Sequence, residues 1–234
     1  MPHPVPLDPV AHRHLRVIAG HGAAFGDAAN QALVFPDEFE EVQREYAILL
    51  RRNEAGGWRF TALLGLEAGE NLYLDGDRWD ARYVPALHAR GPFSIGVPAH
   101  GGEPMVHVDL DHPRVHGAGE PVFDADGAPT PLLDRATAAL RRIYAGAARG
   151  AALIAAWSAY DLIAPVTLHL DLDDTRRVSV PDCFTIDAGR LAALDGAALE
   201  RLNRDDLLRP AIWVSASLGN IRHLLGRKLR RETL

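Results

Sequence analysis

Two periodicities divide the chain. Between residues 33 and 110 apolar residues come in short runs or alternate with polar ones, and from residue 131 they recur at steps of three and four. The first pattern predicts half-buried antiparallel strands and the second amphipathic helices. Glu45 to Leu50 is a short apolar run. Glu54-Ala55-Gly56-Gly57 is a hairpin signal, and Trp58 to Leu64 is its return strand. Asn71 to Leu74, Phe93 to Val97 and Met105 to Leu110 are further candidate strands, with a tight turn at Asp75-Gly76-Asp77.

A long helix is expected over residues 131–163. Thr130 is placed to cap it, Pro131 stands at its first position, and Pro165 ends the pattern. Leu133, Ala136, Leu140, Ile143, Ala147, Ile154 and Trp157 form its apolar stripe, with Gly146 and Gly150 marking a kink or a close crossing. Short strands follow at 166–170, 177–180 and 184–186. Asp187 and Asp195 suit the N-caps of two short helices, and a last helix begins near Leu207. The five basic residues from Arg222 to Arg231 suit the negative end of that helix.

Each apolar face needs a partner, so the fold class is α+β: an antiparallel sheet packed against a long helix and a C-terminal helical segment. Leu140, Ile154 and Trp157 are expected in the core. Residues 1–20 read as an extended arm carrying Pro2, Pro4, Pro6 and Pro9 with His3, His12 and His14, and residues 21–234 as a single domain without internal repeats. The irregular histidine spacing is that of a polar tail rather than a metal site.

Composition narrows the partners. The chain has 234 residues, 47% of them hydrophobic, and a net charge of −6, which does not favour nucleic acid. Its longest apolar run, Gly150 to Tyr160, is far short of the roughly 20 residues a membrane span needs. One cysteine, Cys183, excludes an intrachain disulfide. No signal-peptide pattern is evident at the N-terminus, so a cytoplasmic location is expected.

Ordered blocks carry a family resemblance. Phe35-Pro36-Asp37-Glu38-Phe39 is followed by Arg44 to Leu49, and Thr61-Ala62-Leu63-Leu64-Gly65-Leu66 runs into Gly69 to Leu74. Trp79, Arg82 to Ala86 and Pro92-Phe93 come next. Then follow Gly119 to Asp124, Gly127, the Pro129-Thr130-Pro131 helix start, the leucines after Asp187, Leu207-Leu208 and Ser217-Leu218-Gly219. In this order the blocks resemble the SapC family over roughly Phe25 to Leu225. The resemblance implies a bacterial protein whose relatives neighbour surface-layer export, outer-membrane receptor, flavin halogenase-like and hydroxylase-like genes. It implies no set of catalytic residues. In one place the chain departs from the pattern: Asn203-Arg204-Asp205-Asp206 stands where a glycine is expected before Leu207-Leu208.

Glu70, Asn71, Tyr73, Arg82, Tyr83 and His88 gather polar and aromatic groups in the most distinctive block. They are candidates for a ligand or partner surface, with Arg82 pairing an anion. His107 and Asp109 share one strand face, and with His169 they would make a two-histidine, one-carboxylate iron site for an oxygenase. The plainer reading is outward polar residues on a half-exposed strand. Asp124 to Gly127 lacks the glycine and glutamate offsets of a calcium loop and reads as a turn. Cys183 reads as a small buried residue, and Ser215 and Ser217 lack a nucleophile elbow. There is no cofactor motif, and none is expected bound. These features point to a cytosolic binding or accessory protein of a surface-protein, export or peptide-modification pathway, with a protein or peptide partner.

Overall fold

A computed structural model describes residues 4–97, 102–173 and 175–233; Pro2 and His3 lie outside them. The strands are β1 (Pro4–Pro6), β2 (Arg16–Val17), β3 (Gln31–Val34), β4 (Ile48–Arg52), β5 (Trp58–Leu63), β6 (Leu74–Asp75), β7 (Arg78–Trp79), β8 (Phe93–Gly96), β9 (Met105–Asp109), β10 (Glu120–Pro121), β11 (Ile163–Asp171) and β12 (Arg177–Ile186). The helices are α1 (Phe39–Val42), α2 (Ala86–Ala89), α3 (Pro131–Ala159), α4 (Ala188–Ala192), α5 (Gly196–Arg204), α6 (Leu208–Ser217) and α7 (Ile221–Glu232). The architecture is α+β, as the two periodicities require.

The chain falls into two compact units. The first takes Met1–Ala28, Leu74–Asp80 and Ala86–Tyr144, and the second takes Ala29–Tyr73, Ala81–Pro85 and Ala145–Leu234. In the first, β8 and β9 pair antiparallel and β1 adds to the far side of β9, with Val5 opposite Val108. Val17, Phe93, Val108, Val122, Leu132, Leu133, Ala136 and Leu140 form its core. The N-terminal prolines suit an edge strand, where a missing donor costs no ladder bond.

In the second unit five antiparallel strands run in the order β11-β12-β4-β5-β3. The sheet expected across residues 33–110 is thus divided. Its early strands join β11 and β12, whereas β8 and β9 belong to the other unit. Alternation reveals which face of a strand is apolar, not which strand lies beside it. Gly56 turns the β4–β5 hairpin with φ 78°, and the Asn53 side chain accepts from the Gly57 N–H. The later half of α3 packs on this sheet, with Trp157 5.9 Å from Phe60 and its indole N–H bonded to the Leu207 carbonyl at 3.0 Å. α6 covers β4 and β12. Its buried Ser217 hydroxyl accepts from the Ile48 N–H at 2.8 Å and donates to the Val214 carbonyl at 2.7 Å, which assigns it a structural role.

Other expectations need correction. The Thr130 hydroxyl donates to the Pro121 and Val122 carbonyls rather than capping α3. α3 stops at Ala159 because Asp161 takes φ 53° and the Leu162 N–H folds back to the Trp157 carbonyl. Ala147 is exposed and Ile154 only half-buried, since both line an open apolar groove with Phe60 and Gly150; Leu140 and Trp157 are buried as expected. Gly146 marks a close crossing, where a Cβ would stand 2.6 Å from Phe35 Cβ. Asn71 to Tyr73 form a turn rather than a strand. The last helix is interrupted by a 3-10 turn at Leu218–Asn220. Asp187 and Asp195 do cap α4 and α5, accepting from Arg190 N–H and Ala198 N–H. Asp124 accepts from the N–H groups of Asp126 and Ala128, a turn closed by Gly127 at φ 84°. Cys183 is buried.

A Cβ on Gly65 would overlap the Glu70 carbonyl oxygen, which belongs to backbone and has little freedom to move. Gly65→Ala is expected to cost about 1–3 kcal/mol through overpacking. Gly196→Ala, where nothing lies within 4 Å, should leave stability unchanged or slightly raised. Urea midpoints measure both, and equal values would contradict the packing described.

Candidate functional site

The second unit holds a cleft of about 460 Å³ whose walls are predominantly basic. Arg222, His223, Gly226, Arg227 and Arg230 line it from one face of α7, and Arg44, Glu45, Tyr73, Arg82 and Asn220 complete it. Each wall is anchored by polar bonds. The Asn220 amide donates to the carbonyls of Gln43 at 2.7 Å and Tyr46 at 3.1 Å, which sets the start of α7. One Glu45 oxygen accepts the backbone N–H groups of Arg82 at 2.7 Å and Tyr83 at 3.3 Å, which holds that segment at the rim. The Arg227 guanidinium lies 4.5 Å over the Tyr73 ring, which also packs 4.5 Å from Tyr46. Arg44 is engaged with Glu40 and Glu41 on the surface. Among the described residues, no carboxylate lies within ion-pairing distance of Arg82, Arg222 or Arg230.

Such a lining is chemically suited to negative charge. Guanidinium groups stay protonated and donate in a fixed fork suited to carboxylate or phosphate. Burial pushes the Tyr73 phenol upward; the nearby Arg227 opposes this and Glu45 adds to it. Its hydroxyl already donates to the Glu45 carbonyl at 2.9 Å. Among the described residues that line the cleft there is no serine, threonine or cysteine to act as a nucleophile.

Two of the six residues singled out in the sequence line this cleft, Tyr73 and Arg82. Glu70 and Asn71 support it from behind. Glu70 accepts from the Leu66 N–H at 2.8 Å and from Lys228 at 2.8 Å, while Asn71 closes a turn onto the Tyr73 N–H and its carbonyl accepts from Arg231 at 3.0 Å. Tyr83 is half-buried and donates to Glu38 at 2.9 Å. The α7 residues do not stand out in the sequence, because a basic helix end satisfies the helix dipole without any ligand. Their sequence signal is the recurrence at 222, 226–227 and 230, which places them on one face.

His88 belongs to the first unit, in a buried charge cluster that the sequence pattern does not reveal. Asp27, 2% exposed, faces His88 Nδ1 at 2.8 Å, Arg114 Nη2 at 2.7 Å, the Gly22 N–H at 2.9 Å and His21 Nδ1 at 3.3 Å. The imidazoles of His21 and His88 pack on Trp79, at 5.4 and 5.1 Å. Burial opposes ionisation of Asp27. Hydrogen bonds from His21, His88 and Gly22, with the Arg114 charge, outweigh it and hold the carboxyl well below its usual range. Burial also pulls Arg114 downward despite Asp27, yet a guanidinium remains charged at any pH of interest. The cluster ties the 18–27 loop to Arg114, which also donates to the Ile18 and Gly20 carbonyls.

The candidate metal ligands occupy ordinary strand positions. His107 and Asp109 lie two apart on β9, with His107 Nδ1 3.2 Å from the Met105 carbonyl, and His169 on β11 faces the Ser179 hydroxyl at 3.0 Å. Among the described residues, no three His, Cys, Asp or Glu side chains gather as metal ligands. Among the described residues, no helix is long and apolar enough to cross a membrane.

Fold and cleft together define an α+β protein with a predominantly basic cavity. The chain belongs to the SapC family, whose model matches residues 7–224. Comparison with curated proteins and with solved structures returns no match.

The Asp27 cluster makes stability depend on acid. Its folded carboxyl titrates below the ordinary value of 3.8, so between the two values the unfolded chain binds more protons and stability rises with pH. The contribution is present above the ordinary value and is lost as pH falls toward the depressed one. Asp27→Asn leaves Arg114 buried without its counter-charge and is expected to cost about 3–5 kcal/mol at neutral pH. It should also flatten the acid limb of a stability–pH curve. Denaturant titrations from pH 7 to pH 2 decide this; an unaltered acid limb in the variant would exclude Asp27 as its source.

Proposed function

We propose that this SapC-family protein is a cytoplasmic binding or accessory protein of a bacterial surface-protein, export or peptide-modification pathway. Its arginine cleft captures an anionic group of a protein or peptide partner. The observation that carries this reading is the set of guanidinium groups, Arg82, Arg222 and Arg230, that line one cavity without a carboxylate partner among the described residues. Unpaired cations cost little in water, but their convergence on a concave surface concentrates positive potential where a ligand would sit. The lining offers charge and rigid donors rather than a nucleophile with its base and orienting group, so recognition accounts for it better than catalysis does.

Co-purification with the products of adjacent genes tests the proposal, repeated with Arg82→Ala and Arg222→Ala. Loss of a central anchor should weaken binding by about 2 kcal/mol, roughly thirtyfold. Partner binding should also fall as salt is raised. Unchanged binding by both folded variants would remove the cleft from the interface, and metal- or cofactor-dependent turnover by the isolated protein would overturn the accessory role.

A further inference from the structure

We infer that the ligand of the arginine cleft is an acidic peptide segment, held extended along α7 with carboxylates at alternate positions. This rests on the binding role proposed above and specifies the chemistry of what is bound. The charges are spread along a line. Arg222 and Arg230 both face the cleft and are eight residues apart in one helix, an axial separation of about 12 Å. One carboxylate or phosphate is too small to reach both. An extended peptide repeats its side chains on one face every ~6.6 Å, so residues i, i+2 and i+4 cover ~13 Å.

Glu45 separates a peptide from a bare polyanion. It brings a carboxylate into an otherwise cationic cavity, and among the described residues its Oε2 alone is occupied, by the Arg82 and Tyr83 N–H groups. Polyphosphate offers acceptors alone and would be repelled there. A peptide carries N–H donors between its acidic side chains and satisfies both signs of charge. A nucleotide lacks a place for its base, because Tyr73 is 2% exposed beneath Arg227 and against Tyr46. Gly226 leaves the middle of the α7 wall bare: a Cβ there would meet only the flexible end of Arg230, at 3.4 Å. Glycine weakens a helix, and what it provides here is room for a backbone to approach.

Fluorescence anisotropy with the full chain tests this, using a fluorescein-labelled pentapeptide of alternating glutamate and alanine. The comparison probes are its isomer with three consecutive glutamates, its glutamine counterpart and tripolyphosphate as competitor. The alternating peptide should bind about tenfold more tightly than either peptide control, the equivalent of one well-placed charge contact. Arg222→Ala and Arg230→Ala should each weaken it by about tenfold. Gly226→Gln should also block it while circular dichroism and thermal melting show the fold intact. Equal affinity for the isomer would overturn the extended register. Stronger binding of tripolyphosphate, lost in Arg222→Ala, would retain an anion cleft and reject the peptide. If no probe binds, both readings fail.

Discussion

The Lys228 ammonium is the interaction on which the cleft depends. It is buried, and carboxylates of Glu70 at 2.8 Å, Glu67 at 3.2 Å and Glu232 at 3.4 Å surround it. Burial alone would pull its pKa down; the bonds to Glu70 and Glu67 outweigh that and raise it, so the group stays charged. This pins α7 to the 65–73 loop and fixes the helix rotation. Arg227 then falls over Tyr73, Arg231 over the Asn71 carbonyl, and Arg222 and Arg230 into the cavity. Glu70 also accepts the Leu66 N–H and so organises the loop that receives the helix. The close Gly65–Glu70 approach serves the same contact, since any larger residue would push Glu70 off its place.

This arrangement explains why the most distinctive sequence block points toward the site without being the site. Its residues Glu70, Asn71 and Tyr83 are consumed by hydrogen bonds within the fold. What Glu70 and Asn71 do is position a helix that begins some 150 residues later in the chain. The strand and helix periods were legible because each depends on a local apolar face. Caps at Asp187 and Asp195 were legible for the same reason. Sheet membership was not, because β4 and β12 meet across more than a hundred residues and no local feature of either strand specifies the other. The Asp27–Arg114 pair escaped for the same reason, separated by 87 residues.

Before Leu207, where the resemblance leads one to expect a glycine, the chain uses an aspartate in the conformation glycine favours. Asp206 takes φ 55°, the left-handed conformation that favours glycine. Aspartate tolerates it better than most residues. Its carboxylate also bonds Arg149 at 2.9 Å and Arg209 at 2.6 Å, so contacts that a glycine could not make offset the backbone strain. The turn delivers Leu207, whose carbonyl accepts the Trp157 indole and joins α6 to the core. Asp206 therefore holds a left-handed turn of the kind that favours glycine.

The balance of charge sharpens the meaning of the cleft. A chain with net charge −6 repels anions at long range, and a surface meant only for solubility would intersperse its cations among the acids. Much of the surface follows that pattern: Arg176 bonds Asp173 and Glu232, Arg204 pairs with Glu200 and Arg177 with Asp171. In α7 the nearby acids are drawn to Lys228 instead, and among the described residues this leaves Arg222 and Arg230 facing the cavity uncompensated. Long-range repulsion with short-range attraction discriminates by shape. At physiological salt the net charge is screened beyond ~8 Å, while a ligand inside the cleft feels the guanidinium groups at contact. An anion that cannot enter would meet a chain of net charge −6, whereas the peptide proposed above would exchange that repulsion for several direct pairs. Selectivity of this kind requires the arginines to be held in place, and the buried Lys228 network supplies that rigidity.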